Sequence, residues 1–225
     1  MIRLETPSLS HFKSSDYDHF YEPAEDTFLL IDALEQDASF ISARKPLVCI
    51  EVGSGSGCVS AAVSDLLRQL SIPSAVFSTD INIRACSATR RTCLANVSHP
   101  NPNCITANVI NCQFADVLAD RLSHSFDLII FNPPYVPTPS EEVGSLGIEA
   151  AWAGGVDGRE VIDEFLPRLD SYLSANGMVY MVLLEQNRPR EIAEMMSEKY
   201  NMQCDVVISR KAGGEKLHIM RIVRR

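Results

Sequence analysis

The fold is decided at residues 47–57, which have the sequence LVCIEVGSGSG. Apart from Glu51, residues 47–52 are apolar and rich in β-branched side chains, and this pattern predicts a strand buried in a parallel sheet. The glycines at positions 53, 55 and 57 permit a tight turn and a close approach of a ligand to the backbone. A helix should follow, to about Leu70. A strand, a glycine-rich turn and a helix in this order indicate a doubly wound α/β sheet.

The alternation of strands and helices continues along the rest of the chain. Further strands are expected at 75–79, 105–114, 126–131 and 177–184, and further helices at 28–34, 84–97, 158–172 and 188–200. Two terminal segments, 204–209 and 217–223, are separated by Gly213-Gly214 and predict an antiparallel pair. We expect one domain over residues 1–225, with a cap and helix region at 1–45 and a Rossmann-like core at 46–225.

The charge of the chain argues against a nucleic-acid partner. The 20 basic and 29 acidic side chains give a formal charge of −9. Lysines and arginines do not form a stripe with interleaved aromatic residues, which is the pattern that a phosphate backbone favours. A basic protein or a neutral peptide loop would suit this surface better.

The cysteines and the apolar runs bear on the cellular compartment. Seven cysteines without a CxxC pair argue against a zinc site and against a disulfide framework. The longest apolar run, 178–184, is far too short to span a bilayer, and residues 1–12 lack the apolar core of a signal peptide. The expected location is the cytoplasm, with access to the nucleus.

The tetrapeptide NPPY (residues 132–135) follows the predicted strand 126–131. Two consecutive prolines end the strand, because they cannot donate to a ladder and they favour extended geometry at the residue before them. Open α/β sheets bind ligands at this end of their strands. The Asn132 oxygen and a proline carbonyl could accept the two hydrogens of a planar NH₂ group, while the Tyr135 ring packs on its face. The alternative is a proline-rich turn in which the asparagine only caps the strand.

Three acids lie at or just after the ends of predicted strands. Glu51 precedes the glycine turn, where its charge would repel a pyrophosphate but attract an ammonium or a sulfonium, and the G-x-G-x-G spacing also differs from the dinucleotide fingerprint. Asp80 follows the second strand and could accept hydrogen bonds from both hydroxyls of a ribose. Asp116 follows the third strand and could accept from the amino group of an adenine. Each acid alone could be a helix cap or a first-turn residue. Together with the glycine turn, they indicate a site for S-adenosylmethionine.

The segment YEPAEDT (residues 21–27) precedes an apolar helix. A proline near a helix start and acids in the first turn are typical of a helix N-terminus. Because the segment stands before the first core strand, it could instead fold over the mouth of the cofactor pocket. Both interpretations remain open from the sequence pattern.

Three motifs together resemble the HemK family of glutamine methyltransferases: EVGSGSG at 51–57, DIN at 80–82 and NPPY at 132–135. Two further motifs, YEPAEDT and GIEAAWAGG at 147–155, are similar to its short eukaryotic and archaeal branch. The eukaryotic members of that branch modify the class I translation termination factor. NPPY alone is shared with adenine and cytosine amino-methyltransferases.

The resemblance implies a class I S-adenosylmethionine-dependent methyltransferase fold, with a seven-stranded, mainly parallel doubly wound sheet whose last strand is antiparallel. The methyl donor would be S-adenosyl-L-methionine. The acceptor would be the side-chain amide nitrogen of the glutamine in the Gly-Gly-Gln motif of the termination factor, which could act as substrate in its GTPase-bound form. Three alternatives stay open: methylation of protein lysine such as histone lysine, methylation of the exocyclic amine of adenine in DNA, and a non-catalytic cofactor-binding scaffold.

The resemblance also implies roles for individual residues. At the methionine end of the cofactor it places four residues of the YEPAEDT motif: Tyr21, Glu25, Asp26 and Thr27. Along the rest of the cofactor it places Glu51, Gly53, Gly55, Asp80 at the ribose and Asp116 at the adenine. Around the substrate amide it places Asn132 and the Pro133 carbonyl, with Pro134 and Tyr135 beside them, and Asn132 also faces the cofactor.

The third predicted strand should lie at an edge of the sheet, with backbone groups open to another chain. It carries no lysine or arginine between Cys104 and Ala115, and its apolar residues are Ile105, Val109, Ile110 and Phe114. We therefore hypothesise that a second subunit adds a strand around 105–114. The resemblance implies that this subunit is a small zinc-binding methyltransferase activator that forms a heterodimer with the enzyme. The alternative is that the chain's own insertion at 96–103 covers the edge.

Overall fold

A computed structural model describes residues 2–96, 104–145 and 148–225, and at 104–107 and 119–120 it describes the backbone alone. The described strands form one seven-stranded sheet in the order β3-β2-β1-β4-β5-β7-β6. Their bounds are β1 Val48–Val52, β2 Ser74–Asp80, β3 Cys104–Asn111, β4 Phe126–Phe131, β5 Leu173–Leu184, β6 Met202–Ala212 and β7 Glu215–Arg224. Strands β1 to β5 pair in parallel, and β7 is antiparallel to β5 and β6. The predicted mainly parallel sheet with an antiparallel last strand is confirmed.

The helices lie on both faces of the sheet. Their bounds are α1 Glu25–Gln36, α2 Ala38–Arg44, α3 Cys58–Gln69, α4 Ile83–Ala95, α5 Asp116–Leu122, α6 Glu160–Phe165, α7 Leu169–Tyr172 and α8 Pro189–Tyr200. An apolar core lies on each face of the sheet. Strand β5 contributes to both cores, because its successive side chains point to opposite faces. Tyr180 and Val182 pack with α1 to α3, whereas Val179 and Met181 pack with α6 to α8. A continuous apolar run is thus buried on both sides, as parallel strands require.

The prediction of one continuous helix over 158–172 is wrong. The segment contains α6, a 3₁₀ turn at Leu166–Arg168, and α7. Pro167 lies in that turn, where it lacks a backbone N–H and its ring opposes a regular α-helical turn. The segment therefore consists of two α-helices joined by a 3₁₀ turn.

The predicted third strand also ends early. Strand β3 stops at Asn111, and Phe114 has a positive φ of 47° in the turn before α5. A positive φ is incompatible with a strand, so the chain turns inward and buries the Phe114 ring. No helix in the described ranges is long and apolar enough to cross a membrane.

Candidate active site

A cavity of about 790 Å³ opens at the carboxyl ends of β1, β2 and β4. Because parallel strands end at one edge of a sheet, the residues that follow them meet there. The cavity is lined by residues from six segments: 20–27, 51–59, 80–85, 112–114, 131–152 and 161–164. Its volume lies within the range of roughly 300–1,000 Å³ that is usual for sites of small ligands.

The glycine turn brings the backbone of β1 close to helix α4. Gly55 has a φ of +52° and its N–H donates to Asp80 Oδ2 at 2.9 Å. A Cβ added to Gly57 would lie 2.6 Å from Thr89 Cα, so a side chain there would collide with the backbone of α4. The turn therefore needs glycine both for its conformation and for its packing.

The Asp80 carboxylate stands at the end of β2, where it is 9% exposed. Its Oδ1 accepts from the backbone N–H of Asn82 at 2.8 Å, and its Oδ2 accepts from Gly55. Burial raises the pKa of Asp80, while these two backbone hydrogen bonds oppose the shift. The carboxylate is fixed at the cavity wall, and a carboxylate oxygen can accept more than one hydrogen bond. This arrangement suits the two hydroxyls of a ribose.

Glu51 lies at the cavity wall and is 4% exposed. Burial raises its pKa to about 8, although the Ser60 hydroxyl donates to its Oε2 and opposes the shift. A buried carboxyl of this kind becomes fully charged when a cation lies beside it. Glu51 therefore suits a ligand with an ammonium or a sulfonium group.

The NPPY corner is held by Asp26, the second residue of α1. Asp26 Oδ2 accepts from Asn132 Nδ2 at 2.9 Å and from the Tyr135 hydroxyl at 2.8 Å. Its Oδ1 accepts from the Tyr21 hydroxyl at 3.1 Å and from the Thr27 backbone N–H at 2.7 Å. Burial first, and then the Asp26 charge, raise the pKa of both phenols, so both remain hydrogen-bond donors.

One atom of this corner has no partner. Asn132 Oδ1 is buried and accepts no hydrogen bond from the described residues. A buried acceptor without a donor costs free energy, and such groups are rare in folded proteins. Asn132 lines the cavity together with Pro133 and Pro134. The corner therefore has an acceptor available for an NH₂ group.

Most of the predicted site residues lie around this cavity, including Tyr21, Asp26, Thr27, Glu51, Gly53, Gly55, Asp80, Asn132, Pro133, Pro134 and Tyr135. Glu25 is an exception, because it is not among the residues that line the cavity. Its side chain is 61% exposed and lies 3.6 Å from Arg210 of β6. Successive residues of a helix point about 100° apart, so Glu25 faces away when Asp26 faces the cavity.

Asp116 is the second residue of the predicted site that lies outside the cavity lining. Its side chain is 50% exposed and accepts from Arg168 Nε at 3.4 Å and from the Tyr172 hydroxyl. It does not line the cavity, whereas Gln113 and Phe114 do. Because β3 ends at Asn111, the turn at 112–114 reaches the cavity and α5 carries Asp116 past it. Among these residues, Gln113 and Phe114 are the ones placed to contact a base.

Sequence reasoning missed Asn187, which follows β5 and is completely buried. Its Nδ2 donates to the carbonyls of Tyr135 and Asp157, both at 2.9 Å, and its Oδ1 accepts from Leu184 N–H at 2.6 Å. A Cβ added to Gly158 would lie 1.9 Å from the Tyr135 carbonyl oxygen. The Tyr135 carbonyl at the end of the NPPY corner is thus held between the Asn187 amide and the Gly158 backbone. Because the bonds that Asn187 Nδ2 donates join residues 29 or more positions apart, no local pattern could indicate them.

The loop after the corner was also not assigned a role from the residue pattern. Val136 N–H donates to the Trp152 carbonyl at 3.0 Å, and Gly154 N–H donates to the Val136 carbonyl at 2.9 Å. Trp152, which this pairing holds, and Ile148 both line the cavity. The loop therefore gives the acceptor end of the cavity an apolar side.

Known proteins are similar to the chain over most of its length. The methyltransferase small domain family matches residues 25–146. The human protein named methyltransferase HEMK2 is 42% identical over 97% of this chain and 96% of its own length. The Schizosaccharomyces pombe eRF1 methyltransferase catalytic subunit mtq2 is 39% identical over 98% of this chain and 96% of its own length. The solved E. cuniculi Mtq2–Trm112 complex, described as responsible for methylation of the eRF1 translation termination factor, contains a chain that is 29% identical. It has a TM-score of 0.60 and covers 92% of this chain and 99% of that chain.

The site and the relatives agree on the cofactor. Glu51 suits the cationic methionine part of S-adenosylmethionine, Asp80 suits its ribose, and Phe114 and Gln113 stand where a base can pack. The relatives are methyltransferases over nearly the whole chain, which confirms the family that the sequence motifs indicated. The chain therefore belongs to the methyltransferase small domain family, in the branch that includes HEMK2 and mtq2, and is an S-adenosylmethionine-dependent methyltransferase.

Proposed function

We propose that the enzyme methylates the side-chain amide nitrogen of the glutamine in the Gly-Gly-Gln motif of the class I translation termination factor. The observation that carries the proposal is the unpartnered, buried Oδ1 of Asn132, a residue that lines the cavity. A primary amide offers two hydrogens, one for this oxygen and one for the Pro133 carbonyl. The S. pombe relative is named for methylation of eRF1, and a Methanocaldococcus jannaschii relative is named as a protein N5-glutamine methyltransferase.

The NPPY corner (residues 132–135) would act by positioning a weak nucleophile. An amide nitrogen reacts poorly because its lone pair is delocalised into the carbonyl, and bound S-adenosylmethionine supplies the electrophilic methyl group. Hydrogen bonds to Asn132 and Pro133 hold both N–H groups and direct the lone pair away from them. Placing the reacting atoms about 3–3.5 Å apart can remove several kcal/mol of the barrier. The proton can leave to water after transfer, so the mechanism needs no strong base.

Asp26 is badly suited to act as a base in this corner. Both of its oxygens accept hydrogen bonds, from five groups on Tyr21, Thr27 and the NPPY corner. A lysine ammonium would have to lose a proton before transfer, whereas a glutamine amide would not. This difference favours glutamine over the lysine alternative.

The direct test is mass spectrometry of the termination factor after reaction with isotopically labelled methyl donor. The factor is tested alone and bound to its GTPase, and a variant with the motif glutamine replaced by asparagine is the control. We expect label on the glutamine of the Gly-Gly-Gln peptide and none on the control. Label on lysine, or on neither form of the factor, would contradict the proposal.

We further propose that a small zinc-binding activator docks on the edge of the sheet at β3. Strand β3 pairs only with β2 among the described strands. Cys112 N–H donates to the Asp80 carbonyl of β2, so the alternating N–H groups of Asn111 and Val109 face the open edge. Helix α4, which packs against β3, leaves Leu94 62% exposed. The similar E. cuniculi chain was solved as a complex with Trm112. The insertion at 96–103, which could cover this edge instead, lies largely outside the described residues.

Co-expression with the activator tests the docking surface. Val109→Pro removes an outward N–H and should abolish co-purification. Leu94→Asp changes an exposed side chain, so it should weaken the complex without unfolding the chain. Val206→Asp is the control, because Val206 lies on β6 at the opposite edge and is 48% exposed. An isolated chain that is monodisperse and fully active would contradict the proposed heterodimer.

A further inference from the structure

We propose that Asp26 is a positioning residue that fixes the orientation of the Asn132 amide, and so makes the corner selective for an acceptor that donates hydrogens. The inference rests on the proposed function, because it names what presents the acceptor-binding oxygen. Asp26 belongs to the segment before the sheet, which the sequence motifs assigned to the cofactor pocket. The structure also connects its carboxylate to two residues of the NPPY corner.

The geometry of the carboxylate supports this role. Asp26 is 3% exposed, and its Oδ2 is shared by Asn132 Nδ2 at 2.9 Å and the Tyr135 hydroxyl at 2.8 Å. Oδ1 is held by the Tyr21 hydroxyl and by the backbone N–H of Thr27. Donors on both oxygens leave the carboxylate little freedom to rotate. It therefore presents a fixed acceptor to the Asn132 side chain.

An asparagine amide has nearly the same shape in two orientations that exchange its oxygen and its NH₂ group. With the oxygen turned toward Asp26, two acceptors would face each other and the bond to the carboxylate would be lost. The NH₂ group would then occupy the position of the free oxygen and would donate to the cavity. The Asp26 charge disfavours this orientation, because only the NH₂ group can bond to a carboxylate. Asn132 Oδ1 is left without a partner for this reason.

Acceptor selectivity follows from the same orientation. A group that donates two hydrogens satisfies the free oxygen, whereas a group that only accepts would leave Asn132 Oδ1 buried and unpaired. Asp26 touches neither Glu51 nor Asp80 through any described hydrogen bond, so its effect on cofactor binding should be small. The two readouts, transfer rate and cofactor affinity, should therefore separate.

The test begins with Asp26→Asn in the full chain, co-expressed with its activator if the complex requires it. Asparagine has nearly the same size but can face Asn132 with either group, so the amide at 132 is no longer fixed. We expect kcat to fall about tenfold to a hundredfold, the range for one charge-assisted hydrogen bond, with the cofactor Kd within about twofold of wild type. Asp32→Asn is the control, because Asp32 lies on the same helix and its side chain is 51% exposed.

Exchanging the aspartate at position 26 and the asparagine at position 132 should restore part of the activity. Asn132→Asp alone places two carboxylates side by side and should be less active than Asp26→Asn. The double variant Asp26→Asn/Asn132→Asp restores one amide and one carboxylate and leaves an oxygen at position 132 for the acceptor. We expect it to recover at least about tenfold in kcat over Asn132→Asp alone. A cofactor Kd that worsens in parallel with kcat in Asp26→Asn, or a double variant no better than Asn132→Asp, would overturn the inference.

A readout without substrate separates this inference from the proposed function. The Asn132 Nδ2 hydrogens should exchange with solvent at least about tenfold more slowly in wild type than in Asp26→Asn, as measured by NMR of the side-chain amides. Equal exchange would overturn the positioning role even if the enzyme methylates glutamine. Protected hydrogens together with no label on the termination factor would leave the positioning role intact and reject the substrate.

Discussion

The two ends of the cavity are built in different ways. At the cofactor end, Asp80 is fixed by the backbone of Asn82 and of Gly55, and Glu51 is fixed by Ser60, all within 25 positions along the chain. At the acceptor end, Asn132 is fixed by Asp26 across 106 positions. The cofactor end therefore depends on the β1–turn–α3 unit and on the neighbouring strand β2. The acceptor end depends instead on the packing of α1 against the segment that follows β4. Substitutions should therefore separate cofactor binding from methyl transfer.

The largest effect should come from Asn132→Ala. Removal of the oxygen that holds the acceptor acts on the transition state, and we expect the transfer rate to fall about a thousandfold. The cofactor Kd should change by less than about twofold, because the cofactor end keeps its own carboxylates. Single-turnover kinetics with labelled methyl donor and calorimetry measure the two quantities. If affinity falls as severely as activity, the two ends are not separable.

Asn187→Ala tests the backbone of the acceptor end. The substitution leaves the Tyr135 and Asp157 carbonyls and the Leu184 N–H without their partner. We expect the free energy of unfolding to fall by about 2–4 kcal/mol, since buried polar groups lose hydrogen bonds. Chemical denaturation measures the change, and Gln203→Ala, at an exposed amide on β6, is the control. Unchanged stability would show that Asn187 does not hold the corner.

Asp80→Ala should affect the other end. Loss of a carboxylate that accepts from the ribose hydroxyls should weaken cofactor binding by about 1.5–3 kcal/mol. At saturating cofactor the transfer rate should recover most of its wild-type value, because the acceptor corner is intact. Calorimetry and a cofactor titration of the rate check both statements. A dissociation constant equal to that of wild type would place the ribose elsewhere.

The smallest effect should be a pH dependence of cofactor binding through Glu51. Its pKa of about 8 in the free protein means that the cationic cofactor must displace a proton to bind at neutral pH. Affinity should therefore rise by up to about tenfold per pH unit below pH 8 and level off above it. The free energy of unfolding of the free enzyme should fall as the pH rises from about 4.5 to about 8. Over this range the folded state still holds the Glu51 proton, whereas the unfolded state has released it. Glu51→Gln should make the calorimetric pH profile flat, and an unchanged slope would assign the dependence to another group.

Local patterns predicted the parts of the site that are local in the structure. The glycine turn after β1, Asp80 after β2 and the NPPY corner after β4 all lie at the predicted cavity. Glu25 and Asp116, each at the start of a helix, are not among the residues that line the cavity. A sequence pattern gives the approximate start of a helix, but an error of one to three residues rotates its first turn or moves it past the cavity. Glu25 therefore faces Arg210, and Asp116 faces Arg168 and Tyr172.

The sequence by itself determined the alternation of strands and helices, the sheet that follows from it, and the carboxyl edge where a ligand binds. Those features depend on the period of apolar residues and on glycine and proline, which act within a few positions along the chain. Only the tertiary structure decided that Asp26 serves the acceptor corner and that Asn187 clamps its backbone. A hydrogen bond requires donor and acceptor to lie within about 3 Å of each other, and that distance is set by how separate elements pack on the sheet.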